Sequence, residues 1–198
     1  HYRNGDPIPT GFNNDEWIDL ENSELGAYSV YPWDSDNASL NTCEGDCIEV
    51  YGVLYNWYAV VESRNICPDE WHVPTDEEWM ELEMALGMSY EQAHATGWRG
   101  TNEGSKLASN ADLWYGGYLE DDAGFGSSGF MVKPGGFRNY GYIYNYNMGY
   151  TGFFWSSMEG DDNGSAWTHW VGYGNTEVYR YYYGKHHGFS VRCVRDSE

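Results

Sequence analysis

Helix boundary signals in this chain cluster between residues 75 and 109 and stop beyond Ala111, a division that limits the fold more than any other feature. At Thr75-Asp76-Glu77-Glu78-Trp79 a threonine stands where an N-cap belongs, with Glu78 three residues on to complete a capping box. Asp76 and Glu77 complement the helix dipole in the first turn. Trp79, Leu82, Met84 and Leu86 supply an inward stripe, and Gly87 is placed to end the helix in the left-handed conformation. Ser89 with Gln92 repeats the pattern and predicts a short helix near 90–95, and a third is expected over 104–109. Glycine-punctuated aromatic segments then take over, so the second half is expected to be strands and long loops.

Residues 1–50 carry Gly, Pro, Asn and Asp with little periodicity and are expected to be loops with short strands. The apolar run 53–61 is either a core strand or a short buried helix, which periodicity does not separate. Thr176 to Tyr183, the turn Gly184-Lys185-His186-His187, and Gly188 to Val194 are predicted to form a hairpin. With Val178 and Tyr182 inward, period 2 sends Tyr179, Tyr181 and Tyr183 outward together. The adjacent His186 and His187 are expected to face solvent.

Ten of the 19 tyrosines fall between Tyr140 and Tyr183, in a stretch with few charged residues. Tyrosine gives a large contact area at the cost of two frozen torsions, so dense Tyr, Gly, Asn and Ser is the composition of a recognition surface. The alternative is that these rings are strand aromatics facing a core. The same parity aligns Tyr140, Tyr142, Tyr144 and Tyr146, in a segment that fits an extended loop equally well. The candidate ligand-binding residues are these four with Trp167, Trp170, Tyr173, Asn175, Tyr179, Tyr181, Tyr183 and His186.

The net charge of -21 lies wholly in the first 129 residues, because six basic and six acidic residues balance beyond them. Such a field repels phosphate backbones and anionic membranes, which argues against nucleic acid as a partner and against membrane insertion. No apolar run approaches the roughly 20 residues needed to span a bilayer, and no signal segment opens the chain, so a mature secreted protein or a fragment is expected.

Four cysteines in a chain of this composition suggest an oxidising compartment. Cys43 and Cys47 enclose three residues and favour a local bridge, which leaves Cys67 and Cys193 for a long-range one. A four-cysteine metal site would want two closely spaced pairs, and only one is present.

Several motifs carry a resemblance. Tyr2-Arg3-Asn4-Gly5-Asp6-Pro7-Ile8-Pro9, Tyr51 to Val60, Cys67-Pro68 with Trp71 to Trp79, Lys133 to Arg138, Phe154-Trp155-Ser156-Ser157, and Gly188 to Asp196 occur in an order that resembles the Fibrobacter succinogenes major paralogous domain. The acidic Cys43–Cys47 insertion departs from that pattern. The resemblance implies an α+β chain of the C-type lectin-like fold, in the branch of the formylglycine-generating enzymes. Two main helices would flank a small twisted antiparallel sheet with long loops, in one domain over residues 1–198, with 1–50 loop-rich and 139–187 the candidate binding surface. It also implies termini that lie close together, a closure that a Cys67–Cys193 bond fits.

The same branch includes variable proteins of diversity-generating retroelements, whose adenine-directed mutagenesis yields Asn, Tyr, Asp, Ser, His and Gly. The mixtures at 140–146 and 173–187 are similar to that output. Formylglycine-generating chemistry needs two cooperating C-terminal cysteines, and only Cys193 stands there, so an enzyme is the least favoured class. Zinc-hydrolase, nucleotide-binding and hydrolase-elbow motifs are absent. Catalytic residues, cofactors and metals are therefore not expected, although a structural calcium ion near Asp121, Asp122, Asp161 or Asp162 stays open.

The expected function is a secreted or cell-surface binding domain that recognises a protein or glycan through exposed aromatics. The alternative is a structural subunit of an extracellular filament or surface layer, with self-association through the same rings.

Overall fold

The computed structural model describes residues 1–30, 46–139 and 148–197. In chain order these form α1 (Asn14–Ser23), β1 (Tyr28–Ser29), α2 (Cys47–Tyr51), β2 (Leu54–Tyr55), α3 (Trp57–Val60), β3 (Trp71–His72), α4 (Asp76–Ala85), α5 (Tyr90–Ala93), β4 (Gly97–Arg99), α6 (Glu103–Leu107), α7 (Tyr118–Asp121), β5 (Thr151–Glu159), β6 (Ser165–Gly172), β7 (Val178–Gly184) and β8 (Val194–Arg195). This is a mixed helix-and-sheet architecture. Among the described residues β1 pairs with β2, β3 with β8, and β4, β7, β6 and β5 form one antiparallel sheet in that order.

The helix starts follow the capping chemistry. Glu78 N donates to Thr75 Oγ1 at 3.2 Å while Thr75 N donates back to Glu78 Oε2 at 2.8 Å, and Ser89 and Gln92 repeat the exchange at α5. The loop-rich expectation for residues 1–50 needs correction, because Asn13 and Glu16 close a capping box that starts the ten-residue α1. The run 53–61 is both of its alternatives in turn, β2 and then α3.

The inward stripe of α4 is Asp76, Trp79, Met80 and Glu83, while Leu82, Met84 and Leu86 are only half-buried. Two carboxylates sit where apolar residues were expected. They are buried because cations on the facing strands meet them, as described below.

The main sheet is covered on both faces, so β5 is buried continuously from Thr151 to Ser156 instead of alternating. Phe154, Val171 and Val178 pack under α4 with Trp79, Met80 and Leu107. Phe153, Trp155 and Ala166 point the other way, onto Trp57, Val60, Val73 and Phe189.

The expected hairpin of β7 with 188–194 does not form. Both edges of β7 are already taken, by β6 and β4. Beyond Gly184 the chain crosses over instead: Gly188 exchanges backbone hydrogen bonds with Arg138, Phe189 with Tyr55, and Ser190 N donates to Phe153 O. The cation of Arg138 is buried at this crossing, donating to the carbonyls of Phe12 and Asn13 and to Ser29 Oγ, with its guanidinium 4.3 Å from the Trp17 ring.

Cys67 and Cys193 are bonded. Beside that bond Arg3 donates to the carbonyls of Cys67 and Pro68, and β8 pairs with β3, so both ends of the chain are fastened to residues 67–72. Cys47 is also disulfide-bonded; its expected partner Cys43 lies outside the described residues.

Candidate ligand-binding surface

Strand register places four aromatic residues in one line across the sheet. Trp98 of β4 lies opposite Tyr179 of β7, Tyr179 opposite Trp170 of β6, and Trp170 opposite Phe153 of β5. Successive ring centroids are 5.2, 4.8 and 4.8 Å apart, and Trp98 also meets Trp170 edge-on at 4.6 Å. The row runs from core to water: Phe153 is 4% exposed, Trp170 and Tyr179 are half-buried, and Trp98 at the sheet edge is 38% exposed.

The next position along β7 on this face is Tyr181, 37% exposed because its cross-strand neighbour on β6 is the small Thr168. Tyr183 shares the face but leans on Phe153 and Phe189, and that burial raises its phenol pKa. The predicted parity of Tyr179, Tyr181 and Tyr183 is present, yet their exposure is graded.

Trp167 lies on the opposite face, where the Arg180 guanidinium sits 3.9 Å from its ring and Tyr182 meets it edge-on. It therefore does not join Trp170. Arg180 belongs to a buried polar network beneath α4. Its Nε and Nη2 donate to the two oxygens of Asp76. His169 is enclosed by the same network: Nε2 lies 3.0 Å from Asp76 Oδ1, and Nδ1 lies 2.7 Å from Glu83 Oε1. Arg99 pairs with the other oxygen of Glu83. Burial alone would push the Asp76 carboxyl up, but hydrogen bonds from His169 and Arg180 overcome it and bring it down to about 2. Burial likewise opposes ionisation of Glu83, and the charges of His169 and Arg99 hold its pKa below the usual range.

His186 and His187 do not face solvent. They stack on each other at 4.6 Å, His187 lies against Phe189, and Glu21 approaches His186 at 3.3 Å. Burial lowers both pKa values, that of His187 to about 4 with further help from the neighbouring His186.

Tyr173 and Asn175 belong to a different place, past the end of β6. The rings of Tyr115, Tyr150 and Tyr173 meet there at 4.9 to 5.4 Å. Asn175 Oδ1 accepts from Glu177 N at 3.2 Å. Tyr140, Tyr142, Tyr144 and Tyr146 lie outside the described residues.

The acidic pairs lie at the end of α7 and in the turn before β6. Asp122 Oδ1 accepts from Gly124 N and Asn102 Nδ2, and Asp162 Oδ1 accepts from Gly164 N. Among the described residues no group of three or more His, Cys, Asp or Glu is arranged to hold a metal ion.

Sequence reasoning missed Trp98. It stands alone between glycine and arginine in a three-residue strand, too short for any periodic signal.

The family model described as the Fibrobacter succinogenes major domain matches residues 1–195. The chain belongs to this family. No curated protein and no solved structure matches it. Many motif residues that resemble the Fibrobacter succinogenes major domain prove structural here. Asn56 caps α3 and holds Leu25 and Ala27, Trp57 Nε1 donates to Ser156 O, and Trp155 Nε1 donates to Tyr55 O. The exposed rings Trp98 and Tyr181 lie between those motifs.

Proposed function

We propose that this member of the family is a binding domain, with the C-type lectin-like fold as its scaffold, acting at the cell surface or outside the cell. It recognises a protein or a glycan through the sheet face of Trp98, Trp170, Tyr179 and Tyr181. One observation carries the reading: a cross-strand row of aromatics is anchored in the core at Phe153 and left half in water at Trp98. Rigid rings with one wet edge lose little entropy on contact and offer both apolar area and polar tips. Sheet pairing on both sides of β7 fixes their spacing before any ligand arrives.

The variant that tests this combines Trp98→Ala, Tyr179→Ser and Tyr181→Ser, assayed against a glycan array and a panel of cell-surface proteins. Loss of a ligand bound by the parent, with the fold intact, supports the reading. Equal binding by both proteins rejects it. Concentration-dependent self-association that the same variant abolishes favours the filament-subunit alternative.

Retroelement diversification remains part of this proposal at 140–146 and within 173–187, where it fits Tyr179 and Tyr181 better than Tyr183, His186 or His187, whose rewriting would disturb packed positions. A reverse-transcriptase gene with a near-identical template repeat beside the coding sequence is the observation required.

A further inference from the structure

An open depression of about 410 Å³ lies away from the sheet-face row, lined by Tyr118, Asp121, Asp122, Gly174, Asn175 and Thr176. Its size falls at the low end of the roughly 300–1,000 Å³ common for small-molecule sites. Two backbone segments build it. Leu119 N donates to Tyr173 O, and Gly117 lets α7 approach so closely that a Cβ there would stand 2.5 Å from the same carbonyl. Ser105 Oγ holds Leu119 O from beneath, so the two walls are fixed relative to each other.

The groups in the depression divide sharply. Asp122 is engaged with Gly124 and Asn102, Thr176 Oγ1 donates to Thr101 O, and Asn175 Oδ1 is held by Glu177 N. Those bonds set the walls. The Asp121 carboxylate, the Asn175 amide N–H groups and the Tyr118 hydroxyl make no hydrogen bond among the described residues. Tyr118 is 73% exposed, the most of any large aromatic described.

A ring face, a carboxylate acceptor and an amide donor around one small space match the chemistry of a pyranose. Such a sugar has a C–H face that packs on an aromatic ring and vicinal hydroxyls that donate and accept at its rim. The two aspartates disfavour a second anion. We infer that this depression is a subsite for one neutral or amino pyranose, with Tyr118 as the stacking platform, Asp121 accepting from sugar hydroxyls and Asn175 donating to them. The inference rests on the reading of the chain as a binding domain, but on a place other than the sheet face.

Gly174 supplies the test. Its φ is ordinary and an added Cβ meets nothing within 4 Å, so Gly174→Trp fills the depression without straining the backbone. The full chain is titrated by NMR with the methyl glycosides of glucose, galactose, mannose, N-acetylglucosamine and glucuronic acid. At least one neutral or N-acetylated sugar should bind saturably with Kd of about 1 mM, and glucuronide should not. Gly174→Trp and Asp121→Asn should each weaken that binding about tenfold or more with the unfolding midpoint unchanged.

The inference is overturned if none of the sugars saturates, or if binding survives Gly174→Trp. Sugar binding lost in the triple variant at Trp98, Tyr179 and Tyr181 but kept in Gly174→Trp would also overturn it, while supporting the sheet face as the ligand site. Capture of a macromolecule by the sheet face with no sugar bound at all removes the subsite alone.

Discussion

Asp76 and Arg180, 104 residues apart, meet inside the protein as a two-pronged ion pair that ties the first turn of α4 to the middle of β7. Both are buried, and the same aspartate faces His169. Removing one partner strands a charge in the core, so Arg180→Met should cost about 3–5 kcal/mol by chemical denaturation. Asp76→Asn carries a second signature. The carboxyl is held near 2 in the folded protein against 3.8 unfolded, so its stabilisation is full above pH 4 and is lost as pH falls toward 2. The shift corresponds to about 2 kcal/mol, and in Asp76→Asn that part of the acid slope should vanish.

His187 works in a higher window and with a different origin. Its folded pKa is about 4 against 6.5 unfolded, so the unfolded chain takes up a proton first as pH falls. Stability should therefore drop by about 3 kcal/mol between pH 6.5 and pH 4 on this account. His187→Phe keeps an aromatic ring against Phe189 and should flatten that drop, and an unchanged slope would contradict it.

His72 has the opposite sign. A hydrogen bond to Asp196, and then one to Glu78, raise its pKa. The stabilisation is present below pH 6.5 and fades as pH rises through the folded value. Because the site is partly exposed the effect should stay under about 1 kcal/mol, and salt should reduce it. His72→Gln should lose this increment at pH 6 and lose little at pH 9.

The Cys67–Cys193 bond closes a long loop, with a sequence separation of 126. In the chain-entropy picture its removal releases about 5 kcal/mol of unfolded-state restriction. Cys67→Ala with Cys193→Ala should shift the denaturant midpoint accordingly, with little change of the native spectrum.

How much of this was legible in the sequence depends on whether the deciding interaction was local. Thr75 with Glu78 and Ser89 with Gln92 announce α4 and α5, because a capping box is written within four residues. Asn13 with Glu16 was written as plainly and overlooked among turn-forming neighbours. Nothing local marks Asp76 and Glu83 as buried, because their partners Arg180, Arg99 and His169 lie at least 16 residues away. The false hairpin had the same cause: no local signal says that both edges of β7 are occupied. Strand parity did place Tyr179 and Tyr181 on one face, whereas Trp98 entered only through tertiary pairing.

Tyr181 and Tyr183 offer the sharpest separation of recognition from packing. They share one strand and one face, but Tyr181 is 37% exposed beside Thr168 with its ring stacked on Tyr182, and Tyr183 rests on Phe153 and Phe189. Tyr181→Ser gives up a ring pair at the surface and should cost about 1 kcal/mol. Tyr183→Ser removes a ring from the core and should cost about 3 kcal/mol or more. Thermal and denaturant unfolding of the two single variants decides the matter: equal large losses would place Tyr181 in the core as well and withdraw it from the binding face, whereas the expected inequality leaves Tyr181 free to lose ligand without losing fold.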